Sequence, residues 1–374
     1  MNRVVFTVSN DVFTDQRVNK MAQTIYAMGF SPLIVGVKRP DSLHFAPEYA
    51  GIVRLPIWFR KGFLFYAELN IRLFFYLMGI KMHLIVANDL DTLLPAHLVA
   101  RIRNKPLVYD THEYFTGTPD VALRPTRRWF WGNLENWLFP KQQTIITVNN
   151  SIANLYKEKF GKNLVVVRNM PRYRQLQLNE SFSIAGLDPS KNIVLIQGSG
   201  LNTGRGTEEL ILAMQPEYGI CNTQLLVIGD GNAKQQLMDL ADSKGLQNLV
   251  IFLPRMPYDL LMQHTARATI GATLDKPFCT NYLYSLPNKL FDYILAGLPV
   301  LASDLPEVKA IVGKYDVGMI CKSNEPQEIA KCINEMLSDA QRLKQWQTNC
   351  LQAAKTLNWE NQEETIRKVY SRYL

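Results

Sequence analysis

"NIVLIQGSGLNTGRGTEELILAM", residues 192–214, joins a short apolar run to a helical pattern through the glycine-rich loop "QGSGLNTGRG" at 197–206. Such a loop between a strand and a helix suits a phosphate, because free backbone N–H groups at the helix start face the anion. The glycines lack the G-x-G-x-x-G spacing of a dinucleotide fingerprint, and the loop lies mid-chain. No G-K-[ST] occurs in it, so it is not a Walker A loop. Arg205 stands just before the expected helix start at Gly206/Thr207, where a guanidinium suits a diphosphate. The plainer alternative is a solvated Arg in a turn.

Outward from this loop, both halves of the 374-residue chain alternate apolar strands with amphipathic helices. The N-terminal half reads "VVFTVS", a helix over "TDQRVNKMAQTIYAMG", "SPLIVGV", a helix at 63–79, "LIVAND", a helix from Thr92, "PLVYDTH", a helix near 127–138, "TIITVN", a helix at 151–160 and "LVVVRN". Near-continuous apolar strands between helices predict a parallel sheet covered on both faces. The polar, proline-bearing segment "NMPRYRQLQLNESFSIAGLDPSKN" reads as a linker. A second alternation follows it, and the chain after about residue 340 lacks Pro and reads as helical. The expected architecture is α/β: two doubly wound, Rossmann-like parallel-sheet domains facing a cleft. Residues 1–171 form the first, residues 172–355 the second, and residues 356–374 a final helix. Ligands of such sheets bind beyond the carboxyl ends of the strands.

Composition narrows the classes. Hydrophobic residues make up 47% and charged residues 20%, as in an ordinary globular protein. The five cysteines (Cys221, Cys279, Cys321, Cys332, Cys350) form no C-x-x-C pair, which points to a reducing, cytoplasmic setting. The N-terminus lacks a signal-peptide pattern. "GFLFYAELNIRLFFYLMGIKMHLIV" is interrupted by Glu68, Asn70, Arg72 and Lys81, so no spanning helix is expected. The net charge of +8 admits an anionic lipid, a nucleic acid or a phosphorylated small molecule. Basic and aromatic residues cluster at 57–81 and in "RPTRRWFW" at 124–131, consistent either with membrane-surface contact or with core aromatics and a solvated basic face.

Four further stretches carry candidate chemistry. In "YSLPNKLFDYILAGLPVLASDLPE" (284–307), Ser285 is expected to cap a helix whose first turn holds Pro287. Lys289 and Asp292 share one face of that helix, suited to a phosphate and to ribose hydroxyls, or simply to an ion pair. "VYDTHEYFTGTPD" (108–120) sets Asp110, His112 and Glu113 at a strand end, where flanking carboxylates favour a functional histidine. A metal site is not expected there, since no second His lies nearby. "SNDVFTDQRVNK" (9–20) offers Asn10, Asp11 and Asp15 to a polar acceptor, or as a helix cap. "VIGDG" (227–231) places Gly229 where a flat group could approach the backbone.

Taken in order, "TDQRVNKMAQTIYAMGF", "YDTHEYF", "VVVRNMP", "QGSGLNTGRGTEELILAM", "VIGDG", "LPNKLFDYILAGLPVLAS" and the terminal "LNWE" resemble GT-B glycosyltransferases, similar to glycosyltransferase family 4. The resemblance covers nearly the whole chain. It implies a hexosyltransferase-type enzyme that takes a sugar from a UDP- or GDP-type nucleotide sugar to a glycan or lipid-linked acceptor. It further implies retention of configuration, no metal and no cofactor beyond the donor. Donor-binding residues would be Gly198, Arg205, Gly229, Tyr284, Asn288, Lys289 and Asp292. Arg205 and Lys289 would neutralise the leaving diphosphate and His112 would lie near the donor sugar. Asn10, Asp11, Asp15 and Glu113 would face the acceptor. The final helix would return to the first domain. Surface-polysaccharide synthesis at the inner face of the cytoplasmic membrane is the implied setting, without nucleic acid. Two positions depart from the family pattern. Tyr284 and Asp292 stand where it has a pair of glutamates, which leaves donor-sugar recognition to neighbours such as Asn281. Ser199 stands where many relatives have an Arg, which leaves Arg205 more of the charge. A sugar-nucleotide epimerase and a non-catalytic nucleotide-sugar-binding scaffold stay open on the residues alone.

Overall fold

Hydrophobic runs rich in Val, Ile and Leu become strands, and the central ones of each sheet are buried on both faces, as parallel sheets require. The computed structural model describes all residues except 1, 14, 41, 43, 177–183, 185, 199 and 374. Part of the expected linker, and Ser199, therefore lie outside the described residues. The chain divides into two units, Met1–Asn169 with Trp359–Leu374, and Met170–Asn358.

In the first unit the strands are β1 (Arg3–Thr7), β2 (Ser31–Lys38), β3 (Gly51–Pro56), β4 (Leu84–Asn88), β5 (Leu107–Thr111), β6 (Thr144–Thr147) and β7 (Val165–Val166). They form one sheet in the order β3-β2-β1-β4-β5-β6-β7, with every pairing parallel. Strand order reverses between β1 and β4, which makes that gap the switch point of a doubly wound sheet. β3 is absent from the sequence reading. It lies at the sheet edge, half-exposed, begins at Gly51 and ends at Pro56, so its apolar signal is weak.

Asp15 accepts from the Val18 N–H (3.0 Å) and caps the helix Gln16–Tyr26. Val18, Met21, Ala22 and Ile25 turn inward from that helix onto the sheet. The same core takes Trp359, Ile366, Val369 and Tyr370 from the C-terminal segment. Trp359 is fully buried, and its Nε1 donates to Thr24 Oγ1 (3.0 Å).

In the second unit the strands are β8 (Asn192–Gly198), β9 (Thr223–Gly229), β10 (Val250–Leu253), β11 (Ile270–Thr273), β12 (Val300–Ser303) and β13 (Gly318–Cys321). The order is β10-β9-β8-β11-β12-β13, again all parallel, with the switch point between β8 and β11. β9 is buried along its whole length. Two hydrophobic clusters cover the two faces, one built from Ile196, Val227 and Leu210, the other from Leu195, Ile228 and Ile294.

Candidate active site

The loop after β8 is shaped by backbone geometry. Gly206 has φ +74° and caps the helix Thr207–Ala213. A Cβ there would lie 2.0 Å from the Leu274 carbonyl oxygen, so only glycine fits. Gly198 and Gly229 are paired at the ends of β8 and β9, and a Cβ on Gly229 would lie 1.9 Å from the Gly198 oxygen. The Leu201 N–H donates to the Asp230 carbonyl (2.9 Å), and the Leu201 carbonyl accepts from Ala233 N (3.0 Å). The bare backbone at 229 thus lets two loops pack on each other, which accounts for the glycine without a flat ligand.

Arg205 projects from this loop toward the end of β11. Its Nη1 donates to Asp275 Oδ1 (3.0 Å), and its guanidinium lies 4.2 Å from the centroid of the Tyr282 ring. Asp275 is fully buried, and its Oδ2 has no hydrogen-bond partner among the described residues. Lys289 completes the cluster. Burial pulls its ammonium pKa down, Arg205 pulls the same way, and Asp275 opposes them. Among the described residues the Lys289 ammonium makes no ion pair, so the plainer alternative of a pair with Asp292 does not form. Asp292 instead accepts from Tyr258 Oη (2.7 Å).

The helix that carries Lys289 spans Asn288–Leu295, with Pro287 at its N-cap and extended (φ −69°, ψ 138°). Ser285 is therefore not the cap, and its Oγ is buried without a partner among the described residues. A residue one place before the Leu286-Pro287 step is too early, because proline biases its predecessor away from helical geometry. Asn288 is exposed, and Tyr284 ends the short helix Thr280–Leu283. No acid occupies the first turn of Asn288–Leu295, whereas Glu208 and Glu209 fill the first turn of Thr207–Ala213. Of the two helix starts, only the one beside Lys289 keeps its positive end without a carboxylate of its own.

In the first unit the ends of β4 and β5 enclose His112. Its backbone N–H donates to Asp89 Oδ1 (2.8 Å). Its Nδ1 lies 3.5 Å from Asp89 Oδ2, and its Nε2 lies 3.2 Å from Asn88 Oδ1 and 3.7 Å from Asp110 Oδ2. Asp110 is fully buried and gripped by Arg17, whose Nε and Nη2 donate to its two oxygens (3.1 and 2.7 Å). Arg17 Nη1 also donates to the Val167 carbonyl (2.7 Å). Burial would raise the Asp110 pKa, but Arg17 and His112 reverse this and hold it at about 2. Burial opposes charge on His112 as well, yet Asp89 and Asp110 push its pKa up to about 9. Burial pushes Asp91, two residues after Asp89, up to about 6.

The other expected acceptor residues are partly committed elsewhere. Asp11 accepts from Phe13 N (2.9 Å) and Arg54 Nη2 (3.2 Å), and also from Ser42 Oγ. Asp15 is the helix cap and accepts from Asn10 Nδ2 (3.0 Å). Asn10 is exposed and Glu113 half-buried. The sequence reading missed Asp89 and Asp275. Each follows a strand end beside a switch point, where an aspartate reads in sequence as an ordinary turn or cap.

Residues 179–352 match the family described as Glycosyl transferases group 1, and residues 16–170 match Glycosyltransferase Family 4. Among curated proteins, the chitobiosyldiphosphodolichol beta-mannosyltransferase of Candida albicans is 23% identical over 244 residues, 60% of this chain and 52% of that one. The chain spans about half the length of the curated relatives it matches. Among solved structures, sucrose-phosphate synthase from Thermosynechococcus elongatus gives a TM-score of 0.79 at 15% identity, covering 100% of this chain and 99% of that one. Anabaena HepE, in complex with UDP and glucose, gives 0.75 at 18% identity, covering 100% of both chains. At such identities the structures show a shared fold, while the two family matches take in both halves of the sequence. The chain belongs to the GT-B glycosyltransferases of the family 4 type.

Proposed function

We propose that the protein transfers a sugar from a UDP- or GDP-type nucleotide sugar to a hydroxyl of a glycan or lipid-linked acceptor. The observation that carries this is the Arg205–Asp275–Lys289 cluster at the switch point of the second sheet. Two cations face one buried carboxylate there, which leaves one positive charge for an anion. As the anomeric C–O bond breaks, its electron pair leaves with the diphosphate, and preorganised cations stabilise that growing charge. Arg205 and Lys289 supply them, so no metal or cofactor is invoked. Asp292, oriented by Tyr258, accepts ribose hydroxyls, and Gly198, Gly229, Asn288 and Tyr284 border the nucleotide. The acceptor hydroxyl attacks from the face the diphosphate leaves, its proton passes to a phosphate oxygen, and configuration is retained. The first unit receives the acceptor, with His112 near the sugar and Asn10, Asp11, Asp15 and Glu113 around the hydroxyl. HepE has been solved with UDP and with UDP-glucose, which supports a uridine donor.

The acceptor reaches the first unit from a membrane surface. No described helix is long and apolar enough to cross a membrane. The helix Gly62–Gly79 nevertheless buries Phe65, Leu69, Leu73 and Leu77 while turning Phe63 and Phe75 (69% exposed) outward. Trp58 (80%) and Trp129 (71%) are exposed as well, and the Phe63 and Phe130 rings meet edge to face at 5.6 Å. Arg60, Lys61, Arg124 and Arg128, all exposed, lie close to these aromatics in sequence, so anionic lipid at the cytoplasmic face is the matching partner. Co-sedimentation with phosphatidylglycerol vesicles, lost in a Trp58→Ser/Trp129→Ser variant that keeps its melting temperature, tests this contact.

A thermal-shift screen of UDP, GDP, ADP and their sugars tests the donor assignment, followed by product analysis with donor alone and with acceptor. Stabilisation by one nucleotide and transfer to acceptor are expected. No stabilisation by any nucleotide, or conversion of the donor to another sugar nucleotide without acceptor, overturns the reading.

A further inference from the structure

Asp89 holds a backbone conformation (φ 60°, ψ 168°) that belongs essentially to glycine. Such strain costs about 1–3 kcal/mol and persists only where the surroundings fix it. Asp89 also occupies the N-cap of the helix Leu90–Ile102, a position where an aspartate ordinarily bonds the first turn, and it makes no such bond. Its own N–H is tied to the Asp110 carbonyl (2.9 Å). Both carboxylate oxygens turn instead to His112, at 2.8 Å from the backbone N–H and 3.5 Å from Nδ1. The side chain has thus given up a helix cap and accepted a strained backbone, and its visible gain is the contact with His112.

We propose that Asp89 is the positioning residue that holds His112 in one orientation as an imidazolium. This rests on the reading of His112 as a member of the transfer site. Asn88 and the Arg17-clamped Asp110 close the cage from the Nε2 side, so both ring nitrogens face acceptors on unit-one strand ends. Asp15 adds negative potential from the neighbouring helix, and Asp91 and Glu113 lie beside Asp89. His112 is then a fixed cation and hydrogen-bond donor and does not serve as a proton acceptor. Burial among these carboxylates pushes Asp89 upward too, to about 7, against the pull of His112.

Asp89→Asn and Asp89→Gly separate this role from a structural one. The readouts are the His112 titration by NMR, the melting temperature and the pH profile of turnover. Asn keeps an acceptor for the backbone N–H and carries the same backbone strain as Asp, while Gly removes the strain. In both variants the His112 pKa is expected to fall from about 9 toward its ordinary 6.5. At pH 8 the imidazolium population and turnover then drop, by up to roughly thirtyfold, and lowering the pH toward 6 restores most of the Asn variant's turnover. The Gly variant is expected to melt no lower than the parent. An unchanged His112 titration in both variants, or lost turnover that low pH does not restore, overturns the proposal. The titration needs no substrate, so a protein that transfers no sugar overturns the functional reading and still leaves the Asp89–His112 coupling measured.

Discussion

At the switch point of the first sheet a cation, His112, sits among carboxylates, whereas at the second a carboxylate, Asp275, sits among cations. The positions correspond: Asp89 follows β4 and Asp275 follows β11, and each strand is the one across which its sheet changes direction. Similar backbones thereby present opposite potentials. An excess of negative charge beside β4 suits hydroxyls and repels phosphate, while the positive balance beside β11 suits a diphosphate. The supporting ion pairs differ in depth as well. Arg17 is 3% exposed on Asp110, but Arg205 is 28% exposed on Asp275. The first pair is an internal brace. The second has one end open to solvent, which the proposed contact with a diphosphate needs.

Breaking each brace is the sharpest way to test that contrast. Asp110→Ala strands Arg17 as a buried unpaired charge and is expected to destabilise the protein by about 3–5 kcal/mol. Asp275→Ala lets Arg205 relax into water and is expected to cost about 1 kcal/mol or less from that ion pair. Urea unfolding of both variants measures the difference, and equal losses would erase the distinction. Next in size, Arg205→Ala and Lys289→Ala are expected to lower turnover by roughly ten- to a thousandfold. Both should weaken the thermal shift given by the nucleotide, which His112→Ala leaves intact. Wild-type turnover in both cation variants would remove the leaving-group role.

A smaller effect is expected from Gly206→Ala, at about 1–3 kcal/mol, since φ +74° and the Leu274 carbonyl both exclude a side chain. The same change at the exposed Gly161, whose Cβ would meet nothing within 4 Å, leaves only the backbone term. Smallest is the pH dependence, because His112 is a fifth exposed and solvent screens its pairs. Its folded pKa lies above the unfolded value, so its stabilisation is complete below about pH 6.5 and fades as pH rises through about 9. Asp110 is shifted the other way, so its contribution is present above about pH 3.8 and fades as pH falls through about 2. Melting temperatures across pH 2–10 should fall at both ends, and Asp89→Asn should shift the alkaline decline to lower pH.

The alternation of elements was legible because buried parallel strands carry continuous apolar runs, as in "NIVLI" and "LLVIG". β3 was not, because an exposed edge strand has little to bury. Arg205, His112 and Lys289 could be singled out by residue type beside a loop or strand end. Asp89 and Asp275 could not, because an aspartate after a strand looks like an ordinary turn or cap. What distinguishes them is a strained φ in one case and a buried, unshared oxygen in the other, and neither leaves a trace in sequence spacing. Pairing of Asp292 with Tyr258, 34 residues away, likewise depends on tertiary packing that helix periodicity does not encode.

Trp359 and the residues after it have a consequence for synthesis. The second unit is one continuous stretch, but the first draws Trp359, Ile366, Val369 and Tyr370 into its core from beyond the second. On a ribosome that adds about 5–20 residues each second, the later unit can finish its core while the earlier one still lacks a wall. The usual N-to-C order of maturation is thereby inverted for the last step. A nascent chain stalled before residue 359 leaves the groups around Thr24 without their indole lid, and during that interval the first unit is the half that needs protection from aggregation.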